Sequence, residues 1–452
     1  MSKDIIFKTL RHEDAERIPW VPFVGVYAGK LIGCPADELL QDADKLFNGI
    51  MEACKLFDPD GMPVLFDLQL EAEILGCDLK WAKEAPPCVS THPLENTDEI
   101  PCDCALPRET DGRLPVVLDV MRRVKKAVGD KIALYGLICG PFTLASHLRG
   151  NNIFTDMYDD EDYVNALLEY CAKVCKRVAD FYIEAGMDVI AIVDPVISQI
   201  SPSAFGDFMS KPFSDIFEHI REKNVFSSFF VCGNATRNIE LMCLAKPDSI
   251  AVDENVDMVS AKAVTDRYDI ALSGNIPLTT TMLHGTQQDN IKYVVESLAD
   301  KLSHKNLIIS PGCDMPYNVP VENTIAAGQA ARRPDAYRAV IADYQSESLA
   351  GIPVVIPDYA SLTKPFIEVF TLDSESCAAC GYMMEAVNVI KAEFGDAVDV
   401  IEYKYTIKEN IARCIKMGVT NLPAIYINGK LQYSSIIPNR AEFADKIKAL
   451  LK

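Results

Sequence analysis

Short apolar runs alternate with longer amphipathic stretches along most of the chain. The runs have the length and β-branched content of buried strands, whereas stretches such as 160–185 and 207–223 have helical periodicity. Eight such runs separated by helices favour a (β/α)8 TIM barrel over an open sheet. The predicted strands cover 62–68, 131–140, 188–196, 225–233, 248–254, 270–277 and 306–313, with 20–26 supplying the remaining one.

Polar or reactive side chains stand where these apolar runs end. In a TIM barrel, the residues at the carboxyl ends of the strands form the active site. The pattern therefore predicts an active site at one mouth of the barrel. The residues at these ends are Asp67, Asp194, Cys232, Asp253, Asn275 and Cys313.

The chain changes character after the predicted barrel, which we assign to residues 1–345. Prolines and small polar residues over 346–364 predict a linker. Residues 365–452 then read as a separate small α/β domain. Its pattern is strand, helix, strand and helix, then a hairpin around Asn428-Gly429 and a final helix.

A Cys-x-x-Cys motif opens the first helix of this small domain. Cys377 would face the first-turn amides, whose partial positive charge favours a thiolate, and Cys380 follows one turn later as a resolving thiol. With Asn421-Leu422-Pro423 before a later strand, this order resembles the thioredoxin and glutaredoxin fold. The resemblance implies a thioredoxin-like redox domain in which a cis Leu422–Pro423 bond faces the disulfide, so that Cys377, Cys380 and Pro423 are its catalytic residues. The alternative is a docking domain with two incidental cysteines.

Net charge and composition limit the possible binding partners of the chain and its possible cellular compartment. The chain has 44 basic and 65 acidic residues, a net charge of −21, which opposes binding to nucleic acid or to an anionic membrane. No signal peptide and no run of about twenty apolar residues is present, so we expect a cytoplasmic protein with reduced thiols. We expect a surface role for Cys102 and Cys104. Buried, inert cysteines are expected at Cys34, Cys54, Cys77, Cys139, Cys171, Cys175 and Cys243.

Two strand-end cysteines and one aspartate suggest a metal centre. Thiolates at Cys232 and Cys313 with a carboxylate at Asp253 would make a three-ligand zinc site with one open position. Such a zinc ion would bind a substrate thiol and hold it as a nucleophilic thiolate. The predicted reaction is thiol alkylation, although both cysteines could instead be buried apolar residues.

Residues 1–345 resemble the uroporphyrinogen decarboxylase superfamily, within it the methylcobamide:coenzyme M methyltransferases. The resemblance rests on the motifs at 66–79, 140–150, 231–236, 249–257 and 310–326. It implies methyl transfer from a methylcorrinoid carried by a partner protein to a zinc-bound small-molecule thiol. The sequence leaves open whether the acceptor is coenzyme M, a folate or another thiol. In the family's His-x-Cys-Gly motif, however, the histidine position is Phe230 here. There are three alternatives: the zinc is held more weakly, another residue, of which His147 is the nearest candidate, completes the site, or the metal is lost.

Three other functions remain open. Uroporphyrinogen decarboxylase itself is disfavoured, because residues 23–30 lack the paired arginines that neutralise substrate carboxylates in that enzyme. The barrel could be a non-catalytic module for corrinoid-protein docking or sensing. It could also bind a thiol that the Cys377/Cys380 pair reduces, making the chain a thiol–disulfide redox protein.

Overall fold

The computed structural model describes residues 2–375 and 377–451. Within these residues, the larger sheet has seven parallel strands in the order β1-β4-β5-β6-β7-β8-β9. A separate antiparallel pair is formed by β2 (Leu79–Lys80) and β3 (Cys88–Val89). The parallel strands are β1 (Gly61–Leu65), β4 (Ala133–Cys139), β5 (Val189–Val193), β6 (Phe226–Val231), β7 (Ser249–Val252), β8 (Ala271–Ile276) and β9 (Leu307–Pro311).

The predicted first strand, 20–26, does not form, and this part of the prediction is wrong. The segment instead bridges the two edge strands of the sheet. The Trp20 carbonyl accepts from the Asp60 amide beside β1 (2.9 Å), and the Val21 amide donates to the Ile309 carbonyl of β9 (3.0 Å). Pro19 and Pro22 have no N–H to donate, so the contact stays a single bridge. The curled sheet is thus TIM-barrel-like, with seven strands and an irregular closure.

Alternate side chains of each strand point to opposite faces of the sheet. On β5, Val189 and Val193 lie inside the barrel, whereas Ile190 and Ile192 pack against the outer helices. On the outer face, Phe229 of β6 stacks on Phe213, with ring centroids 4.2 Å apart. This division explains why the strands read as continuous apolar runs: both faces are buried.

The C-terminal unit has its own four-stranded sheet, in the order β11-β10-β12-β13. Its strands are β10 (Phe366–Thr371), β11 (Asp399–Lys404), β12 (Ala424–Ile427) and β13 (Lys430–Ser434). β10 is parallel to β11 and antiparallel to β12. The elements lie where the sequence predicts them, and the Leu422–Pro423 bond is cis, as expected.

Helices surround both sheets. The α-helices of residues 2–345 are Ser2–Leu10, Tyr27–Ile32, Ala36–Leu39, Ala43–Phe57, Leu70–Ile74, Leu114–Val128, Pro141–Arg149, Asn152–Asp159, Glu161–Glu184, Pro202–Ala204, Ser210–Glu222, Ile239–Leu244, Met258–Thr265, Gln287–Lys292, Val321–Arg332 and Pro334–Ile341. Those of the C-terminal unit are Ala378–Phe394, Lys408–Met417 and Arg440–Leu450. In the described parts of the chain, no helix combines the length and apolarity needed to cross a membrane.

The C-terminal unit sits over the mouth of the barrel. Tyr382, in its first helix, is buried within the barrel's own core cluster. The Asn234 side chain donates to the Asn421 side chain at 2.7 Å, and Nε2 of His284 lies 2.9 Å from the Thr406 carbonyl. The segment between the two units contains short 3-10 turns at Leu349–Gly351 and Tyr359–Ser361.

Candidate functional site

A cavity of about 800 Å³ lies between the barrel mouth and the C-terminal unit. Its floor is the carboxyl edge of the parallel sheet, where β6, β7 and β9 end. The C-terminal unit forms the opposite wall with the start of its first helix and the loop before β12. The cavity brings together the six residues whose site roles were predicted, Cys232, Asp253, Cys313, Cys377, Cys380 and Pro423.

Cys232 and Cys313 are joined by a disulfide, with Cα atoms 6.0 Å apart. Cys232 follows β6 directly, and Cys313 stands two residues beyond β9, on a strand that is not its neighbour in the sheet. The curvature of the sheet therefore brings them together across the barrel mouth. Cys102 and Cys104 also form a disulfide. The expectation of reduced thiols is thus wrong for these four, whereas the seven cysteines expected to be buried are buried and free.

Two adjacent carboxyl groups flank this disulfide. Asp253 accepts hydrogen bonds from the amide of Gly233, next to Cys232, and from the Asn255 amide at 2.8 Å. Burial raises the pKa of Asp253. Burial, reinforced by the neighbouring Asp253 charge, raises the pKa of Glu254 to about 8. Near neutral pH the pair therefore retains a proton and can exchange it with a group in the cavity.

The described residues do not complete the predicted zinc site. In the disulfide, the two sulfurs are bonded to each other and are not thiolate ligands. Phe230 has no ligand atom; its ring points into the barrel, 4.8 Å from the ring centroid of Phe23. No cluster of three or more His, Cys, Asp or Glu suited to a metal ion occurs among residues 2–375 and 377–451.

His147 does not replace the missing histidine ligand. It lies in the helix Pro141–Arg149, and its Nδ1 is 3.0 Å from the Tyr382 hydroxyl. Burial lowers the pKa of His147 to about 3, so the ring is neutral at physiological pH. Its role is to contact the C-terminal unit.

The two cysteines of the Cys-x-x-Cys motif differ in environment. Cys377 is the N-cap of the helix Ala378–Phe394 and is partly exposed. The hydrogen bond from the Cys380 thiol, aided by the Cys380 backbone amide, lowers the pKa of Cys377. Burial, with the neighbouring Cys377, raises the pKa of Cys380 well above its usual value. Cys377 therefore ionises more readily than Cys380.

Positive charge is scarce in the cavity. Among the described lining residues there is no lysine or arginine, whereas Glu84, Asp253, Glu254, Asp314 and Asp373 all contribute carboxyl groups. Asp373 is paired with Lys404 at 2.8 Å. Burial lowers the pKa of His284, the cavity's histidine, so its ring carries no charge at neutral pH.

Three of the predicted strand-end residues have structural roles outside the cavity. Asp67 pairs with Arg113 at 2.6 Å, and Asp194 accepts from the Thr143 amide and hydroxyl. Asn275 donates to the Asp253 carbonyl at 2.8 Å and so supports the loop that carries the carboxyl pair.

Glu254 and Asp314 are among the cavity residues that sequence reasoning did not identify. Both directly follow a residue that was identified, Asp253 and Cys313 respectively, and this adjacency was the available signal. Asp314 accepts from the Gly25 amide at 2.7 Å, and burial raises its pKa well above the usual value.

A parallel, barrel-like sheet with reactive residues at its carboxyl edge defines a TIM-barrel-like protein with an enzyme-type cavity. Residues 1–334 match the uroporphyrinogen decarboxylase (URO-D) family, and the chain belongs to that family. The C-terminal unit lies beyond the matched residues.

Curated relatives include methyltransferases and decarboxylases. The chain is 27% identical over 328 residues to "Methylcobamide:CoM methyltransferase MtbA" of Methanosarcina acetivorans, covering 71% of this chain and 94% of that protein. It is 24% identical over 246 residues to the uroporphyrinogen decarboxylase of Nostoc punctiforme, covering 53% and 68%. A solved structure, "methyltransferase from Methanosarcina mazei", matches with a TM-score of 0.66 at 24% identity, over 74% of this chain and 98% of that one. The structural match supports the barrel fold.

Proposed function

We propose that the protein is a methyltransferase that moves a methyl group from a methylated corrinoid protein to a small-molecule thiol. The observation that carries the proposal is the cavity itself, where Cys232, Cys313 and a carboxyl pair meet at the carboxyl edge of the barrel. The similarity to MtbA supports the same reaction class. The names of the MtbA and MtaA relatives include CoM, which supports a thiol as the class of acceptor, and these names do not mention a folate.

The transfer needs an acceptor thiolate. In the proposed step, the acceptor sulfur forms the carbon–sulfur bond while the cobalt–carbon bond breaks and leaves its electron pair on cobalt. One carboxylate of the Asp253/Glu254 pair accepts the thiol proton, since a group of pKa about 8 exchanges protons readily near neutral pH. The zinc site with Cys232, Asp253 and Cys313 as ligands remains a prediction for the reduced protein, and no step here depends on it.

The charge of the cavity limits which thiols can serve as the methyl acceptor. Coenzyme M carries a sulfonate, and a sulfonate placed beside Asp253 and Glu254 would meet no lysine or arginine among the described lining residues. At about 6 Å and an effective dielectric constant of about 20, one like-charge contact costs about 3 kcal/mol. We therefore assign the acceptor to neutral or cationic thiols. The lack of lysine and arginine among the described lining residues also disfavours a porphyrinogen with eight carboxylates as the substrate.

We further propose that the C-terminal unit is a thioredoxin-like dithiol module. Cys377 is the attacking thiol, since its pKa is lowered and it is partly exposed, and Cys380 is the resolving thiol. Pro423 lies on the wall of the same cavity, at a cis peptide bond.

Methyl transfer is tested with the full-length protein, reduced so that Cys232 and Cys313 are thiols. Methylcobalamin serves as the donor, 2-mercaptoethanol as the acceptor, and mass spectrometry detects the methyl thioether. We expect thioether formation well above the protein-free rate, and much less with Glu254→Gln, which removes the carboxylate form. Formation at the protein-free rate with every thiol tested would refute the proposal.

A further inference from the structure

Four cysteines in one cavity stand in two oxidation states. Cys232 and Cys313 are a disulfide, whereas Cys377 and Cys380 are free thiols. All four line the cavity between the barrel and the C-terminal unit. Since one pair can give up the two electrons that the other can take, the chain contains both partners of a thiol–disulfide exchange.

Direct contacts join the loop after Cys232 to the C-terminal unit. The loop that follows Cys232 bonds to the C-terminal unit twice: Asn234 to Asn421 at 2.7 Å, and the Arg237 guanidinium to the Ser435 carbonyl at 3.1 Å. Asn421 is two residues before the cis proline, and Ser435 donates its amide to the Pro423 carbonyl at 2.9 Å. The same loop thus leads from the barrel disulfide to the wall that carries the dithiol.

We propose that the Cys377/Cys380 dithiol reduces the Cys232–Cys313 disulfide within the same chain. This inference rests on the proposed dithiol chemistry of Cys377 and does not depend on methyl transfer. Its consequence is an internal redox switch, in which the cavity has either two free barrel thiols or none.

The exchange balances within the chain. The Cys377 thiolate attacks one sulfur of the barrel disulfide, forms a mixed disulfide and releases the other barrel sulfur as a thiolate. Cys380, as its thiolate, then attacks the Cys377 sulfur, so that the Cys377–Cys380 disulfide forms and the second barrel sulfur leaves. Two electrons and two protons move from the C-terminal pair to the barrel pair. Renewed reduction of Cys377–Cys380 requires an external thiol or dithiol reductant.

A carboxyl group lies near each cysteine of the barrel disulfide. The backbone amide of Gly233, next to Cys232, donates a hydrogen bond to the Asp253 carboxyl group. The Glu254 carboxyl group lies against Gly312, next to Cys313, so that a Cβ atom added to Gly312 would be 2.9 Å from Oε2 of Glu254. One carboxyl group therefore stands beside each barrel cysteine.

Tethering makes the reaction effective. A dithiol that shares a cavity with its disulfide reacts at an effective concentration of about millimolar or higher. The C-terminal unit forms one wall of this cavity, so Cys377 faces the same space as the barrel disulfide.

The test uses full-length Cys380→Ser, which removes the resolving thiol. Trypsin places the three reacting cysteines in separate peptides: 224–237 contains Cys232, 306–332 contains Cys313, and 339–391 contains Cys377. After purification without reductant, acid quenching, alkylation of free thiols and digestion, we expect 339–391 to be linked to 224–237 or 306–332. The barrel peptide that is not linked should be alkylated.

Cys377→Ser is the matched control. Cys380 alone is buried and its pKa is raised, so 224–237 and 306–332 should remain linked to each other. If Cys380→Ser gives the same pattern as this control, the inference is overturned.

A separate arm distinguishes this failure from a failure of the dithiol proposal. Cys380→Ser is also incubated with glutathione disulfide. If glutathione is trapped on 339–391 and no barrel peptide is linked to it, the proposed dithiol chemistry of Cys377 is supported. The barrel disulfide is then refuted as the partner of Cys377. Absence of both products would refute both.

Wild-type protein gives a measurement that requires no substitution. The fully reduced chain receives one equivalent of glutathione disulfide, and the two disulfides are followed with time. As one disulfide is lost, the other should be gained in equal amount. The final ratio of the two disulfides should be the same whichever of them forms first. If the ratio of the two disulfides does not change after the initial oxidation, the proposed exchange is contradicted.

Discussion

The hydroxyl of Tyr382 lies 3.0 Å from Nδ1 of His147, and this hydrogen bond joins the C-terminal unit to the barrel in a fully buried setting. Because His147 is neutral, the bond is between uncharged groups. It anchors the helix whose first turn carries Cys377 and Cys380 over the barrel mouth. The position of the dithiol relative to Cys232 therefore depends on a contact that involves none of the four cavity cysteines.

Tyr382→Phe removes this hydrogen bond and keeps the ring. We expect a loss of about 1 kcal/mol in the stability of the contact between the units, as for a neutral buried hydrogen bond. Alkylation of Cys377 by iodoacetamide should become faster, since the unit spends more time away from the barrel. Tyr158→Phe, at a tyrosine that is 86% exposed, is the control and should alter neither quantity. An unchanged alkylation rate in Tyr382→Phe would show that the bond does not hold the unit in place.

Glu71 is fully buried, and neither of its carboxyl oxygens has a hydrogen-bond partner. Burial raises its pKa to about 8. The folded chain therefore holds a proton that the unfolded chain releases near pH 4.5, and the stabilisation present below pH 4.5 is lost as the pH rises to about 8.

Glu71→Gln is neutral at every pH and should not show this loss. Relative to wild type, its free energy of unfolding should rise by a few kcal/mol between pH 5 and pH 8. Denaturant unfolding at both values measures the change, with the exposed Glu218→Gln as control. Equal pH dependence in Glu71→Gln and wild type would mean that Glu71 is ionised in the fold.

Phe230→His restores the ligand type that the resemblance places at this position. In the reduced protein we expect tighter zinc binding, because an imidazole nitrogen joins two cysteine thiolates. Titration against a competing chelator measures the affinity. Phe226→His, on the same strand and face but at its amino end, is the control and should have no effect. Equal affinity in wild type and Phe230→His would contradict the predicted ligand set.

Acceptor charge can be tested with three thiols that share a two-carbon skeleton: 2-mercaptoethanol, cysteamine and coenzyme M. We expect kcat/KM for the sulfonate to be about tenfold to a hundredfold below that of the neutral thiol, the equivalent of about 1.4 to 3 kcal/mol of repulsion. Glu254→Lys should narrow this difference by supplying a cation. A preference for coenzyme M in wild type would show that a cation outside the described cavity wall reaches the acceptor.

Much of this molecule could be predicted from local pattern. Seven of the eight strands and the helix that starts at the Cys-x-x-Cys motif follow from residues close together in the chain, whereas the cis bond before Pro423 was implied by the resemblance to the thioredoxin fold. Periodicity reports which face of an element is buried, and a strand buried on both faces has a continuous apolar run. The strand-end position of Cys232 and Cys313 was readable for the same reason.

The tertiary structure decided what those residues meet. The apolar run 20–26 forms only a single β-bridge to the sheet, because Pro19 and Pro22 lack the N–H groups that a ladder of backbone hydrogen bonds requires. Strand curvature brought Cys232 and Cys313 into a disulfide, although 81 positions separate them in the chain. Asp67 and Asp194 share the strand-end signal with Asp253, yet their partners are Arg113 and Thr143. The charge of the cavity and the proximity of its four cysteines depend on how the barrel and the C-terminal unit pack against each other. Hydrophobic periodicity reports the buried faces within each unit, but it does not specify the contact between the two units.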